Sequence, residues 1–359
     1  MAIRDDSQFA LTYCLCSESC VAQQKTYWHL LSQRRMPTEY EIVTSKLLCY
    51  TGEGFTGKRF ELDVPLQDWY KRFQQDSPLT CNSWDNFRDP RETTYTKYNE
   101  VQRDKEIFVD GILEEIETTG YDAHLSPRWL HVLSTVVAPL RYPGHGFQMV
   151  ASYIGQMAPS GRIVITAALQ SADEMRRVQR IAYRVRQLQQ LYVGFAADSK
   201  ARWQTDSLWQ PLRVAVEKLL TCYDWAESFV ALNLVLKPLV DEVFMNHFSD
   251  LALREGDYLL GRVFYSLNED CQWHQEWSQA MIRMVIEDTS HNIGTIQGWI
   301  DKWYPIAARA VQAFTPVFEG TLENAQMPRF EGVTEKLDKY YRDYLSGMGL
   351  QRSTGEGFS

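Results

Sequence analysis

The sequence contains no uninterrupted run of about 20 apolar residues, which is the length that a membrane-spanning helix requires. Its first six residues lack the basic region and apolar stretch of a secretory signal. Positive charge is not in excess either, because 37 basic residues face 46 acidic ones and leave a formal charge of −9. These absences predict a cytoplasmic protein that neither spans a membrane nor follows the phosphates of a nucleic acid.

The cysteines do not form a complete metal-binding pattern. There are seven, an odd number scattered through the chain, and in a cytoplasmic protein we expect their thiols to stay reduced. Cys14, Cys16 and Cys20 lie close together, but no second Cys/His pair follows at the spacing of a zinc site. We therefore expect residues 1–24 to form a disordered N-terminal arm, and a metal knuckle remains the alternative interpretation.

The sequence also lacks the sustained period-two alternation that would indicate a β-sheet. From residue 94 onward, apolar residues instead recur at steps of three and four, which is the period of a helix with one buried face. Ser126 followed by Pro127 is typical of a helix start. Four long stripes predict an all-α helical bundle, and they run from Leu130 to Leu140, Glu174 to Leu188, Val216 to Leu234 and Phe264 to Val285.

The chain of 359 residues divides by pattern into four parts. After the arm, residues 25–93 are interrupted by prolines and glycines and are rich in aromatic residues. Large aromatic side chains in an irregular segment are expected to cover either the protein's own core or another subunit. We predict an extended segment over residues 25–93, a helical domain over 94–318 and a C-terminal extension over 319–359.

Three of the stripes carry polar residues where a core helix should be apolar. They are Glu174 with Arg177 one turn later, Glu227, and Cys271 with His274 one turn later. Burial of an unpaired carboxylate is costly, so each glutamate must meet a cation, a hydrogen-bond donor or a metal. We expect Glu174 to pair with Arg177 or another basic group, and Glu227 to accept hydrogen bonds, with His274 as one possible partner.

These positions resemble a damaged di-iron site. In ferritin-like di-iron proteins two helices each supply a glutamate and two others each supply Glu-x-x-His, yet this chain contains no Glu-x-x-His. Arg177 stands where an imidazole would ligate, and Cys271 stands where a carboxylate would. The helix that would bear the fourth carboxylate offers only Gln148 and Met149. We interpret Glu174, Arg177, Glu227, Cys271 and His274 as a vestigial site without metal or catalytic residues.

Two other interpretations stay open at this point. In one, the chain is itself a ferritin-like metalloenzyme that holds iron or manganese with Glu174, Glu227, His274 and further ligands. In the other, Cys271 has a thiol-based function, although its place on an apolar stripe predicts a buried, unreactive thiol. The basic residues from Arg176 to Arg186 are expected to form a helix face that meets acidic groups on this chain or on a partner.

Several separate stretches resemble the beta subunit of toluene and alkene monooxygenase hydroxylases, which are multicomponent di-iron enzymes. They agree in order and spacing from about Lys25 to Phe314, and they include residues 25–30, 34–43, 69–71, 76–79, 84–90, 156–159 and 224–227. The resemblance implies a ferritin-like, ribonucleotide-reductase-like helical bundle with an extended N-terminal arm. It does not extend to the cysteine-containing residues before Lys25, and it weakens after Phe318.

The resemblance also implies a role. The beta subunit carries no cofactor and scaffolds a catalytic alpha subunit, which holds the di-iron centre and inserts one oxygen atom from O2 into an aromatic or alkene hydrocarbon. The expected partners are alpha and a small gamma subunit in an alpha2beta2gamma2 assembly, with an effector protein, a Rieske-type ferredoxin and an NADH reductase beyond it. We predict that alpha contacts six aromatic residues, Trp28, Tyr40, Trp69, Tyr70, Trp84 and Phe87. The sequence of this chain does not identify the hydrocarbon, because the resemblance places the substrate pocket in the alpha subunit.

Overall fold

The computed structural model describes residues 38–41, 65–319 and 332–351, and no strand occurs among them. The first seven helices are α1 (Pro65–Tyr70, continued by a π-helical turn over Lys71–Gln75), α2 (Tyr95–Thr119), α3 (Pro127–Val132, continued by Leu133–Val137 and Ala138–Leu140), α4 (Arg141–Met157), α5 (Gly161–Leu191), α6 (Ser199–Thr205) and α7 (Gln210–Leu220). Helix α8 consists of five consecutive segments, the first being Trp225–Phe229 and the last Phe248–Arg254. It is followed by α9 (Tyr258–Asp288), α10 (His291–Gln312), α11 (Thr315–Glu319) and α12 (Val333–Ser346). The prediction of an all-α fold is confirmed.

The helix boundaries follow from local capping chemistry. The Ser126 side chain accepts a hydrogen bond from the Trp129 N–H at 3.1 Å, with Pro127 in the first turn, so the predicted start of α3 is confirmed. Thr94 caps α2 in the same way, through the Lys97 N–H. Helix α2 ends at Gly120, whose φ of 63° lies in the left-handed region that favours glycine. The first long helix of the described residues therefore begins where the sequence pattern changes.

The stripe from Val216 to Leu234 is divided between two helices. Helix α7 ends at Leu220, and α8 begins at Trp225. Between them, the Asp224 carboxylate accepts hydrogen bonds from the N–H groups of Ala226 and Glu227. Asp224 caps the start of α8, so the chain forms a new helix there instead of continuing α7. The apolar residues keep their spacing across this break, because the chain returns to the core after about one turn.

Helix α8 is the central helix of the bundle. Nearly all of its residues between Trp225 and Phe248 are buried, and it contacts α9, α10 and α12. Two stretches, Val230–Leu236 and Glu242–His247, are π-helical and flank the α-helical Lys237–Asp241. A helix that is buried on all sides is apolar on all sides, so a charged residue within it requires a specific partner.

The other long helices pack around α8. Helices α4 and α5 pack closely against each other along their length, α2 lies against α9, and α10 lies against α7 and α8. Near the C-terminus, Tyr341 of α12 is buried and stacks on Tyr304 of α10 with ring centroids 5.3 Å apart. No helix in the described part of the chain has the length and hydropathy needed to cross a membrane. The four-part division of the chain stays a prediction, and residues 1–24 lie outside the described residues.

Candidate functional site

Three helices bring six chemically active side chains together in the centre of the bundle. We call this group the buried charge cluster. Each member has at most 4% of its surface exposed. Its members are Glu174 and Arg177 of α5, Lys237 and Asp241 of α8, and Cys271 and His274 of α9. The sequence pattern identified four of the six.

Lys237 lies between two carboxylates. Its Nζ is 2.6 Å from Glu174 Oε1 and 2.7 Å from Asp241 Oδ2. Burial and the Arg177 cation lower the pKa of Lys237, but the carboxylates of Asp241 and Glu174 outweigh them and raise it above its ordinary value. The ammonium is therefore charged at neutral pH, although it is completely surrounded by protein.

Arg177 bridges the same two carboxylates from the other side. Its Nη1 lies 2.9 Å from Asp241 Oδ1 and 3.4 Å from Glu174 Oε2, and its Nη2 donates to Cys271 Sγ at 2.6 Å. Burial raises the pKa of the Asp241 carboxyl, but Arg177 and Lys237 outweigh this effect and hold the pKa below its usual value. Two carboxylates and two cations therefore balance in charge. The prediction that Glu174 pairs with Arg177 or another basic group agrees with this geometry.

Cys271 and His274 are held in uncharged forms. Burial raises the pKa of the Cys271 thiol, so the thiol stays protonated. Burial, followed by the charges of Lys237 and Arg177, lowers the pKa of His274 well below its usual value. These shifts do not favour a reactive thiolate at Cys271.

His274 has one satisfied and one unsatisfied ring nitrogen. Its Nε2 lies 2.9 Å from Asp173 Oδ2. Its Nδ1 is buried, has no hydrogen-bond partner and lies 3.8 Å from Glu174 Oε1. Neither oxygen of Glu174 accepts a well-directed hydrogen bond, so this carboxylate is stabilised by charge alone.

A second layer of ion pairs connects the cluster to α2. The Asp270 carboxylate lies 2.7 Å from both Arg176 Nη1 and Lys105 Nζ. Farther along α5, Arg180 contacts Asp110 at 2.6 Å, and Arg184 forms two hydrogen bonds with Asp122. The basic residues of α5 therefore meet acidic groups of this chain. The sequence analysis expected such acidic groups either on this chain or on a partner.

Glu227 lies outside the cluster, contrary to its assignment to the vestigial site. It is at the start of α8, ten residues before Lys237, which corresponds to about 15 Å of helix. Its Oε1 accepts hydrogen bonds from Lys302 Nζ at 2.5 Å and from Trp303 Nε1 at 2.8 Å. The expectation that Glu227 accepts hydrogen bonds is met, but His274 is not a partner. The ligand set of Glu174, Glu227 and His274 is not assembled.

The sequence analysis missed Lys237 and Asp241. The run from Val230 to Asp241 is apolar except for Asn233, Lys237 and Asp241. Lys237 and Asp241 are four residues apart, and this spacing places both on one face of a helix. An opposite-charge pair at that spacing inside an apolar run was the available signal. Helix α4 contributes no ligand, because Gln148 donates to Ser152 and Ser171 and Met149 is exposed.

The predicted interface residues fall into three groups. Trp28 lies outside the described residues. Tyr40 and Phe87 are buried in the chain's own core, where the Tyr40 hydroxyl accepts from the Asp89 N–H and Phe87 packs edge-on against Trp277. The assignment of these two to a partner contact is therefore corrected, because they have almost no surface left for a partner.

The remaining three are only partly buried. Trp69 Nε1 donates to the Tyr153 hydroxyl, Tyr70 donates to the Gln156 carbonyl, and Trp84 packs edge-on against Trp225. These three stay predictions as interface residues. Cys14, Cys16 and Cys20 lie outside the described residues.

Comparison of the chain with known proteins identifies its family. A model of the methane/phenol/alkene hydroxylase family matches residues 69–289. The beta subunit of the toluene-4-monooxygenase hydroxylase component from Ectopseudomonas mendocina is 34% identical over 304 residues, which cover 84% of this chain and 93% of that one. The chain belongs to the methane/phenol/alkene hydroxylase family.

Other members of the hydroxylase family agree with this placement. The small subunit of the propane 2-monooxygenase hydroxylase component from Gordonia sp. (strain TY-5) is 24% identical over 277 residues, 72% of this chain and 74% of that one. A solved structure of toluene 4-monooxygenase, with toluene bound in its resting active site, superposes with a TM-score of 0.73 at 35% identity, covering 78% of this chain and 93% of that chain. The predicted hydroxylase-type helical bundle is confirmed.

The buried charge cluster does not fit the pair of iron ions that a di-iron hydroxylase uses. Ammonium and guanidinium groups are positively charged, have no free electron pair for a metal and lie directly against the available carboxylates. Within residues 38–41, 65–319 and 332–351, no group of three or more His, Cys, Asp or Glu side chains is placed to hold a metal ion. No chemical step through iron is therefore assigned to these residues.

Proposed function

We propose that this chain is the non-catalytic beta subunit of a di-iron hydroxylase. It scaffolds an alpha subunit that carries the di-iron centre and inserts one oxygen atom from O2 into a hydrocarbon. Support comes from the similarity over most of both chains to a protein described as a hydroxylase beta subunit. The proposed assembly contains alpha and gamma subunits and works with an effector protein, a Rieske-type ferredoxin and an NADH reductase.

One observation carries the proposal. Lys237 and Arg177 occupy the centre of the bundle and neutralise Glu174 and Asp241. A catalytic metal would have to displace two cations that the surrounding protein encloses, and the displaced charges would remain close by. The frame of the bundle is thus kept for packing and assembly, while metal chemistry is left to a partner.

The hydrocarbon is expected to bind the partner and not this chain. Relatives are named for toluene in one case and for propane in another. Between residues 65 and 319, the side chains of the buried charge cluster are held by ion pairs to one another and are surrounded by buried apolar residues. Substrate identity is therefore to be read from the alpha subunit.

A part of the surface near α1 is the proposed contact with alpha. Trp69, Phe73 and Tyr223 pack together with ring centroids 4.6 to 5.5 Å apart, and 43% of the Tyr223 surface is exposed. We call these three residues the aromatic ledge. Exposed aromatic clusters are common at the centres of protein interfaces, because they bury large apolar areas with little loss of conformational entropy.

The test of the function is reconstitution. The chain is expressed alone and together with candidate large and small hydroxylase subunits from the same organism. Native mass spectrometry and iron analysis then report assembly and the location of the metal. We expect a complex that contains all three chains, with iron on the large subunit and hydrocarbon oxidation only when it is present. Stoichiometric iron on the isolated chain, or a chain that ignores the large subunit, would refute the proposal.

A further inference from the structure

The Asp173 carboxyl group of α5 is buried without a cation of its own. Only 2% of Asp173 is exposed, and no lysine or arginine of the described residues lies within ion-pair distance of it. The nearby Asp270 carboxylate, by contrast, is held by Arg176 and Lys105, each at 2.7 Å. A buried carboxylate without a cation is costly, so the charge state of Asp173 requires a separate explanation.

The two oxygens of Asp173 have different surroundings. Oδ1 accepts hydrogen bonds from the Tyr98 hydroxyl at 2.7 Å and from Gln102 Nε2 at 2.8 Å. Oδ2 has one polar neighbour, His274 Nε2, at 2.9 Å. This division is the one expected of a carboxylic acid, because its carbonyl oxygen accepts hydrogen bonds while its hydroxyl oxygen donates one.

The other ring nitrogen of His274 indicates where the ring carries its hydrogen. His274 Nδ1 is buried, has no hydrogen-bond partner and lies 3.8 Å from Oε1 of Glu174, a carboxylate that is ion-paired with Lys237. A lone pair directed at a carboxylate is repelled by it, whereas an N–H group is attracted. The hydrogen of a neutral ring therefore belongs on Nδ1, and Nε2 is then able to accept a hydrogen bond from Asp173.

Asp270 opposes a second negative charge at Asp173. Gln102 Nε2 donates to both carboxyl groups, at 2.8 Å to Asp173 Oδ1 and at 2.9 Å to Asp270 Oδ1, so the two groups lie close together. Burial, followed by the Asp270 charge, raises the pKa of Asp173 well above its usual value, and the hydrogen bond from Tyr98 opposes this shift only in part. Contacts and charges therefore both favour the neutral acid.

Charged and titratable groups from four helices and the segment before α2 surround the pair. They are Tyr98 and Lys105 of α2, Glu174, Arg176 and Arg177 of α5, Lys237 and Asp241 of α8, Asp270 and Cys271 of α9, and Arg91. Burial, followed by the Lys237 and Arg177 cations, lowers the pKa of His274. A carboxylate at Asp173 paired with a doubly protonated His274 is thus disfavoured at both residues.

We propose that Asp173 keeps a proton at neutral pH and donates it from Oδ2 to His274 Nε2, and that this neutral pair is a proton-controlled lock between α2, α5 and α9. Tyr98 and Gln102 are the α2 residues that it holds. At alkaline pH the proton leaves to solvent. His274 must then move its own hydrogen to Nε2 to stay bonded to Asp173, which turns the Nδ1 lone pair toward Glu174. The inference does not depend on which partner the chain joins.

The sign of the pH effect follows from the raised pKa of Asp173. The folded chain holds a proton at pH values where the unfolded carboxyl group has lost it, so this contribution to stability is complete at acidic pH and is lost as pH rises through the raised pKa. The loss falls on the contacts of α2, because two of the three groups bonded to Asp173 belong to that helix. Helix α2 should therefore loosen at alkaline pH.

The experiment compares the full unmutated chain with Asp173→Asn. The asparagine oxygen can accept from Tyr98 and Gln102, and its N–H can donate to His274 Nε2, so the variant imitates the neutral acid. In the infrared difference spectrum at neutral pH, the C=O band of a protonated carboxyl group should be present in the unmutated chain and lost in the variant. The melting temperature should stay within about 2 °C. Hydrogen exchange of α2, corrected for the intrinsic rate, should increase at alkaline pH only in the unmutated chain.

The matched control is Asp270→Asn, which replaces a carboxylate that two cations hold. It should lower the melting temperature by more than about 4 °C and leave the protonated-carboxyl band in place. Absence of that band from the difference spectrum of a folded Asp173→Asn overturns the proposal. A loss of melting temperature as large as that of Asp270→Asn overturns it as well, because Asp173 would then act as a charged partner.

Tyr98→Phe is the second variant, and it serves if Asp173→Asn does not fold. It removes one hydrogen bond from Asp173 Oδ1 while the side chain keeps its shape, and Tyr98 is only partly buried. The protonated-carboxyl band should shift to higher frequency and remain present, because the C=O bond strengthens when it accepts one hydrogen bond fewer. If no protonated-carboxyl band responds to Tyr98→Phe, the proposal is wrong.

Discussion

Asp241 is the residue on which both buried cations depend. Its two carboxylate oxygens contact Lys237 and Arg177 separately, at 2.7 and 2.9 Å. Removal of one member of a buried ion-pair network leaves uncompensated charge in a medium that cannot hydrate it. Each carboxylate oxygen of Asp241 therefore neutralises one of the two buried cations, and loss of either contact is expected to lower the unfolding free energy.

For Asp241→Asn we expect unfolding free energy to fall by about 3–5 kcal/mol, because two cations then face only Glu174. Urea denaturation followed by circular dichroism measures the change. Glu217→Gln is the control, since Glu217 pairs with Arg213 on the surface at 2.7 Å and should cost less than about 0.5 kcal/mol. Equal losses for the two variants would contradict the proposed role of the cluster.

His247 gives the fold a dependence on pH. It is buried in α8, with Glu242 Oε1 3.6 Å from its Nε2 and with Asp250 and Lys336 among the charges nearby. Burial lowers the pKa of His247 below its usual value, while Asp250 opposes that shift. Below about pH 6.5, the unfolded chain binds a proton at His247 that the folded chain does not bind. The contribution of uncharged His247 to the unfolding free energy is therefore complete above about pH 6.5 and is lost as the pH falls below it.

We expect His247→Gln to flatten part of the loss of stability between pH 7.5 and 5.5, by at most about 1.4 kcal/mol per pH unit. Chemical denaturation at a series of pH values provides the measurement. His291 has an exposed side chain, so His291→Gln should leave the profile of the unmutated chain unchanged. An identical profile for His247→Gln would show that this residue is not responsible.

At the scale of the element, α4 and α7 meet through a glycine. A Cβ atom on Gly146 would overlap Val216 Cγ1, whereas a Cβ on Gly111 of α2 would meet nothing within 4 Å. Both glycines lie inside helices, where alanine is intrinsically favoured by about 1 kcal/mol. The two positions therefore separate helix propensity from packing.

Gly146→Ala should destabilise the chain by about 1–3 kcal/mol, because the branched Val216 side chain has little freedom to move away. Gly111→Ala should stabilise it by about 0.5–1 kcal/mol. Thermal and urea unfolding of both variants check these signs. Val216→Ala combined with Gly146→Ala should recover part of the loss, and the absence of any recovery would argue against close packing of α4 on α7.

Helix boundaries were predictable where a cap or a proline marks them. Ser126 and Pro127 start α3 as expected from the sequence. The break between α7 and α8 was not, because Asp224 interrupts the chain while the apolar residues keep their period. Period alone does not distinguish one long helix from two that pack against the same core.

At the scale of the whole molecule, the aromatic ledge is the proposed meeting point with the alpha subunit. We expect Tyr223→Arg to weaken assembly by about 30-fold, which corresponds to the 2 kcal/mol of an interface hot spot. Native mass spectrometry of mixtures at fixed concentrations measures the effect. The isolated variant should keep its circular dichroism spectrum, since Tyr223 is 43% exposed.

Tyr265→Arg is the matched control, because Tyr265 is also an exposed tyrosine, at 61%, and lies on α9, which contributes no residue to the aromatic ledge. It should assemble as the unmutated chain does. Loss of assembly in this control with normal assembly of Tyr223→Arg would place the contact on another face. Either result locates the surface that the aromatic residues of the sequence only suggested.

The sequence by itself determined the all-α fold, the family and the positions of Glu174, Arg177, Cys271 and His274, because helical period and residue type are local properties. Only the tertiary structure showed that Lys237 and Asp241 complete the charge balance. It also placed Glu227 beside Lys302 and Trp303. Contacts between helices depend on how each helix is placed and rotated in the bundle, and the spacing of residues along one chain does not specify this.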